Sequence, residues 1–438
     1  FRQSIVLGWD NVINHLNKKV KYLSFEAKSK IMRINKKENQ NLLSQKNEDN
    51  YNENIGLNRL FEKIIYLISN NLYQEALPML DEALDIDPIN VELYSMKAVC
   101  LINLQQLDSA KKILKKGLEI NPDYVDCLYN LAFIYEQKNQ LDIANELYMK
   151  ILNVTNEEEL KSEILEKLNL KDKKILIGSP IHQKPQILEH FIKSLSILNK
   201  EGLDVHYLFI DDNISKESSL LLKEFSEKEN NVIICKSNFN DEYIRNEQTH
   251  LWNEHLIWKV ANFKDSIIQV ANEFNFDYLF LIDSDLVLHP NTLKQLLMAK
   301  RDIISNIFWT KWQPDFPELP QVWMFDQYEQ YNKIRGEQLS KEQILERHKE
   351  FINMLKKPGV YEVGGLGACT LISKKAIKAG VSFKEIKNIS LWGEDRHFCV
   401  RAAALGFTLY VDTHYPAYHI YRESDLENVK DFFNTRSK

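Results

Sequence analysis

Two aspartates close one of the most apolar runs of the chain. In "FDYLFLIDSDLVLHP" (Phe276–Pro290), the stretch Tyr278–Ile282 carries only large apolar and aromatic side chains and reads as a strand buried on both faces. Positions i and i+2 of an extended chain point to the same side, so Asp283 and Asp285 project together, and like charges held close repel. A cation between them, or water, relieves that repulsion. Hard divalent cations take oxygen ligands, and magnesium or manganese typically uses one or two carboxylates plus substrate phosphates. The pair therefore reads as a seat for Mn2+ or Mg2+ on a diphosphate. Its bland alternative is two solvated carboxylates at a strand end. An EF-hand is ruled out, because Leu286, Val287 and Leu288 stand where ligand oxygens and a glycine are required.

Other chemistry-bearing residues surround this pair in the sequence. Ser179 and Pro180 follow the apolar run "KKILIG", and Asp211, Asp212 and Asn213 follow "DVHYLFI". Ligands of open α/β sheets bind beyond the carboxyl ends of the strands. No loop carries GxGxxG or GxxxxGK[ST], which argues against a dinucleotide fingerprint or a P-loop. In "YEVGGLGACTLISKKAIKAG", Gly364, Gly365 and Gly367 allow close backbone approach, either as a tight turn or as a floor under a sugar. In "LWGEDRHFCVRAAALGF", Gly393 gives a turn, Glu394 and Asp395 start a helix, and Gly406 ends it. Acidic residues in a first helical turn are favourable with the dipole, and a carboxylate there beside a cleft can also serve as a general base; the spacing does not separate the two. In "YPAYHIYRES", His419 is either a structural histidine or a neutral imidazole completing a two-carboxylate metal site. Trp309 and Trp312 fall in the Pro-rich stretch "FWTKWQPDFPELP", where a sugar face could stack on them, and Trp392 precedes the Gly-Glu-Asp turn.

The elements that must position these residues are short apolar strands alternating with helical stretches from Lys173 onward, with a long helical region over Asn246–Phe274. Alternation of this kind indicates a mostly parallel sheet with crossover helices, an α/β domain. The preceding segment repeats. "YQEALPMLDEALDIDP" and "LDSAKKILKKGLEINP" align with Pro88 and Pro122 34 residues apart, and Ala76, Ala110, Ala144 and Ile86, Ile120, Val154 keep the same period. A 34-residue period with small residues in mid-helix and a proline after the second helix resembles tetratricopeptide repeats. Such arrays usually present a concave binding surface, which points to a protein partner or acceptor. Upstream, Asn11–Arg33 has helical spacing, and Lys36–Glu53 has the composition of a polar linker. The expected organisation is 1–54 helical segment and linker, 55–170 repeats, 171–438 α/β domain.

Composition fits this. A chain of 438 residues, 44% hydrophobic and 27% charged, has room for two or three globular domains. A net charge of −6 gives no basis for nucleic-acid binding. Five scattered cysteines without a CxxC pair argue against zinc and against a disulfide framework, and suit a reducing compartment. No apolar run reaches the roughly 18–20 residues of a bilayer span. The expected location is cytoplasmic.

The combined order of these motifs is more specific than any one of them. From Lys173 to Glu423, DSD at Asp283–Asp285, an aspartate pair after the second strand, a GG-containing strand, Gly-Glu-Asp before a helix and a late histidine resemble the GT-A glycosyltransferases. The nearest forms are the large family 2 of inverting enzymes and the Anp1-like mannosyltransferases, whose GG strand is similar to Val363–Ile372. The resemblance implies that Asp211 or Asp212 bonds the base of a UDP- or GDP-sugar donor, with Ser179, Pro180 and Gly365 beside it. Asp283 and Asp285 would hold manganese or magnesium on the diphosphate, His419 would be the third metal ligand, and Arg245 would contact donor phosphate. Asp395, with Glu394 beside it, would take the proton of an acceptor hydroxyl, on a protein or a glycan, in an inverting attack. The helical insertion Gln338–Leu355 lies outside the family's common core. A QxxRW motif of processive synthases is absent, and the first strand end, "GSPIHQKP", departs from the usual family 2 signature. The rival readings are a nucleotidyltransferase, for which "GSPIHQKP" offers few glycines and cations, and an inert repeat scaffold.

Overall fold

A computed structural model describes residues 52–237 and 253–435, apart from 314, 326, 391 and 392. The helix expected over Asn11–Arg33, nearly all of the polar stretch Lys36–Glu53, and the residues Arg245 and Trp392 lie outside the described residues. The chain divides into two compact units, Phe1–Asn169 and Leu170–Lys438.

The described part of the first unit is all-helical: α1 (Asn52–Ser69), α2 (Tyr73–Ile86), α3 (Val91–Asn103), α4 (Leu107–Ile120), α5 (Val125–Gln137), α6 (Leu141–Val154) and α7 (Glu158–Lys167). The turns α1–α2, α3–α4 and α5–α6 each pass through one left-handed residue, Asn71, Gln105 and Asn139, at φ 61, 62 and 55°. Ala76, Ala110 and Ala144 are fully buried, so the small side chains of the period mark where helices approach. At Gly117 the approach is closest: a Cβ there would lie 3.0 Å from the Cys127 sulfur and 3.1 Å from Cβ of Tyr94. The other periodic set, Ile86, Ile120 and Val154, is exposed in the last turns of α2, α4 and α6.

The second unit is built on a sheet whose order is β3-β2-β1-β4-β11-β6-β12-β5. Its first half is β1 (Lys173–Ile181), β2 (Leu203–Asp211), β3 (Val232–Lys236) and β4 (Tyr278–Ile282), all mutually parallel. The connections are α8 (Pro185–Ser196), α9 (Lys216–Lys228) and a span that includes α10 (Glu254–Glu273). The second half departs from the expected parallel sheet. Here lie β5 (Leu286–Val287), α11 (Thr292–Met298), β6 (Ile303–Thr310), β7 (Leu319–Pro320), β8 (Val322–Trp323), α12 (Lys341–Leu355), β9 (Val360–Val363) and β10 (Gly365–Leu366). They are followed by β11 (Cys369–Ser373), α13 (Lys374–Ala379), α14 (Glu394–Ala404), β12 (Leu409–His419) and α15 (Val429–Thr435). β11 runs antiparallel between β4 and β6, and β12 runs parallel to β6 but antiparallel to β5 and β9. The chain enters β11 from β10 through Gly367–Ala368 instead of a crossover helix, so nothing forces the parallel direction. The result is a mixed sheet.

The core of this unit joins Leu279, Leu281, Ile303, Ile372 and Val411 of the sheet to Ile267 of α10, Ile377 of α13 and Phe398 of α14. α10 comes so close to β1 that a Cβ on Gly178 would lie 2.4 Å from the Ile267 Cγ2 methyl. That contact fixes the helix on the sheet. The inserted helix α12 starts on a Ser340–Gln343 capping box and docks Phe351 and Leu355 onto the same core.

Candidate functional site

The carboxyl ends of β1 and β4, the residue after β2, the start of α14 and the end of β12 surround one cavity of about 820 Å³. Asp283 follows directly from β4, and its N–H donates to the Ala368 carbonyl (3.1 Å). The β12–β5 ladder pairs His419 with Leu286, and the Ile420 N–H donates to the Asp285 carbonyl (2.9 Å). The ladder thus sets the late histidine beside the second aspartate: His419 Nε2 lies 3.6 Å from Asp285 Oδ2. On the other side of the ring, Nδ1 is 2.8 Å from Thr310 Oγ1, which also accepts from Gln321 Nε2 (3.1 Å). A hydroxyl oxygen has two lone pairs, so Thr310 can accept from both and leave the Nε2 lone pair facing Asp285.

Asp283 turns elsewhere. Lys264 of α10 is 1% exposed, and its ammonium lies 2.8 Å from Glu394 Oε1, 3.1 Å from Asp395 Oδ1 and 3.8 Å from Asp283 Oδ1. Burial works against its charge, and Asp283, Asp395 and Glu394 more than offset that, so the lysine is held well above its ordinary value. The carboxylates outnumber the ammonium. Burial first, then the charges of Asp285, Asp395 and Glu394, push Asp283 up to about 8 against the pull of Lys264. Asp395 is raised to about 6 by burial and by Glu394, again against Lys264. Among the described residues no group of three His, Cys, Asp or Glu side chains converges to hold a metal ion by itself.

The β2 end separates its two aspartates. Asp212 lines the cavity, where its Oδ2 accepts from Lys259 Nζ (2.8 Å) and lies 3.2 Å from His182 Nδ1. Burial raises this carboxyl, but bonds from His182 and Lys259 outweigh it and hold the group below its usual range. Asp211 is not among the lining residues; it takes Asn213 Nδ2 (2.8 Å) and Lys236 Nζ (3.1 Å) and ties down its own turn. Pro180 lines the cavity, whereas Ser179 is fully buried beneath it.

The glycines and tryptophans sort by packing. Gly365 is absent from the cavity lining, and a Cβ on it would lie 1.9 Å from Cε2 of Trp323. The close approach inferred there serves an indole and not a sugar. Trp309 lies in β6 opposite Pro320, half-buried against the core and away from the lining, so the expected loop is a strand. Trp312 does line the cavity, 46% exposed, edge-on to Tyr421. Glu394 and Asp395 both line it, following Gly393 at φ +106°.

Sequence reasoning passed over Lys259, Lys264, Trp323 and Tyr328. The two lysines were findable: both interrupt the apolar stripe Leu256, Val260, Phe263, Ile267 of one helix, where a charged residue has to be buried with a partner.

Comparison with known proteins speaks to the helical unit. Two Tetratricopeptide repeat family models match, over residues 67–123 and 113–144, so this region carries tetratricopeptide repeats. The chain is 25% identical over 226 residues to Signal recognition particle subunit SRP72 of Dictyostelium discoideum, covering 45% of this chain and 33% of that protein. It is 32% identical over 133 residues to the Protein STIP1 homolog of the same organism, covering 28% of this chain and 24% of that one. A solved structure of the first such repeat domain of Spaghetti (RPAP3) with an HSP90 peptide is 21% identical, covers 25% of this chain and 88% of that one, and has a TM-score of 0.24. The chain thus spans a third or less of the two Dictyostelium proteins. No helix among the described residues is long and apolar enough to cross a membrane.

Proposed function

We propose that the second unit is a metal-dependent glycosyltransferase of GT-A type, and that the repeats of the first unit recruit a polypeptide acceptor or partner. The observation that carries the reading is the convergence of Asp212, Asp283, Asp285, Glu394, Asp395 and His419 on one cavity at the strand ends. These residues come from four separated places in the sequence, and a sheet edge with no ligand has no reason to gather them.

The residues present fit a divalent cation that arrives with its substrate. Asp285 and His419, which face each other across 3.6 Å, would hold it as two ligands, and a diphosphate would supply the remaining oxygens, as magnesium and manganese sites commonly arrange. Thr310 anchors the far side of the imidazole in the way outer-shell partners orient metal-binding histidines. When bound, Mn2+ or Mg2+ offsets the charge that develops on the departing diphosphate. The chain's own groups do the rest. Asp212 accepts an N–H of the nucleobase of a UDP- or GDP-sugar. Trp312 offers an aromatic face to a sugar. Asp395 accepts the acceptor hydroxyl's proton as the new oxygen–carbon bond forms and the sugar–phosphate bond breaks with its electron pair on the diphosphate. A base separate from the leaving group suits a single inverting displacement.

The test is donor hydrolysis and thermal shift over a panel of nucleotide sugars with and without manganese. Turnover of one donor that depends on manganese supports the transferase. A folded protein that neither binds nor turns over any donor leaves the second reading, a partner-binding repeat protein whose α/β unit is inert. The family match to the repeats and the pairing of Asp283 with Lys264 favour that second reading.

A further inference from the structure

Resting on the transferase reading of the cavity, we propose that Lys264 is a positioning residue that couples the acceptor-side base to the donor side of the site. One ammonium sets the Asp395 carboxylate and holds Asp283 apart from the Asp285–His419 pair. An ammonium carries three N–H donors. Three carboxylates stand around this one: Glu394 and Asp395 from the first turn of α14, and Asp283 from the end of β4. The lysine is not free to wander. It is 1% exposed, its charge lies 5.1 Å over the Phe383 ring, and its helix is pinned by Ile267 on Gly178 and capped by Asn253 at Leu256 (2.9 Å).

The geometry assigns different jobs to the three acids. Glu394 makes the shortest contact and is only 12% exposed, so its part is to neutralise and hold the lysine. Asp395 is 25% exposed and lines the cavity, so it can meet an acceptor while Oδ1 stays bonded to the ammonium. Asp283 is drawn toward Lys264 across 3.8 Å, which leaves Asp285 and His419 as the pair that faces a cation. A fixed base matters because a misplacement of about 1 Å can cost roughly 10²-fold in rate.

The experiment compares wild type, Lys264→Met and the charge-balanced double variant Lys264→Met/Glu394→Gln. Crystal structures report where Asp395 sits. Manganese titration without donor, followed by electron paramagnetic resonance, reports on the Asp283 side. Donor hydrolysis and transfer report function. In the single variant Asp395 is expected to move by about 1 Å or more, transfer to fall about 10²-fold, and manganese to bind severalfold tighter as Asp283 is released. The double variant is expected to regain melting temperature without regaining transfer, and it carries both readouts if the single variant does not fold. An unmoved Asp395, or a double variant that recovers transfer, overturns the proposal, because Lys264 would then only balance charge. A wild type with no donor turnover overturns the transferase reading instead, and the position of Asp395 and the manganese titration still decide the role of Lys264.

Discussion

Asp395 and Asp285 answer to different experiments. Asp395 must be ionised to accept a proton, and burial raises it to about 6, so transfer is expected to fall as pH drops through about 6. The stability consequence runs the other way. A carboxyl whose folded value is raised above its ordinary 3.8 favours the folded state while protonated, and that contribution is lost as pH rises through about 6. Asp395→Asn should therefore raise the melting temperature at pH 7, leave it nearly unchanged below about pH 3.8, and cut transfer by orders of magnitude with donor binding intact. Persisting transfer would reduce Asp395 to a helix-terminal acid. Asp285→Ala is expected to remove the manganese-dependent gain in nucleotide affinity; equal affinity for UDP and for GDP with and without manganese in wild type and variant alike contradicts the seat. At this scale the sequence was readable where chemistry and an apolar run coincide, as in Tyr278–Asp285. Lys264 could be read as a buried cation from its place on the apolar stripe of α10, but its partners could not, because only the fold puts three acids around it.

At the scale of elements, β8, β10 and the wall of the cavity form one packed unit. Gly365 of β10 pairs with Trp323 of β8, and that buried indole lines the cavity and packs against Tyr328 with ring centres 4.2 Å apart and planes tilted by 41°. A methyl at 365 would press on the indole and not on open space. Overpacking of this kind typically costs about 1–3 kcal/mol. Gly365→Ala is thus expected to lower the melting temperature and, by displacing Trp323 and Tyr328, to weaken sugar use more than nucleotide binding. Calorimetry with parallel titrations of nucleotide and nucleotide sugar checks both, and an unaltered variant would show the wall to be pliable. The glycine cluster was visible in the sequence, but its cause was not, because the crowding partner lies on a different strand. The parallel half of the sheet followed from strand–helix alternation; the antiparallel entry of β11 depended on a turn with no helix, which periodicity does not register.

For the whole molecule, the repeats were the most legible part. A fixed 34-residue period appears in Ala76, Ala110 and Ala144 and again in the left-handed turns at Asn71, Gln105 and Asn139. What the repeats hold is set by surface chemistry that the period does not encode. Removing residues 1–169 is expected to spare donor hydrolysis and to impair transfer to the native acceptor; equal loss of both activities would make the repeats a folding support for the second unit. The order in which the cavity's parts occur along the chain has a consequence of its own. Asp212 and Asp283 come early, but the imidazole opposite Asp285 arrives with the last strand of the sheet, Leu409–His419. During translation the repeats and the parallel strands can emerge and consolidate while the cavity is still missing one side. A ribosome stalled before residue 419 therefore holds a polypeptide whose helical repeats and parallel strands are complete while Asp285 still lacks the imidazole that faces it in the finished cavity.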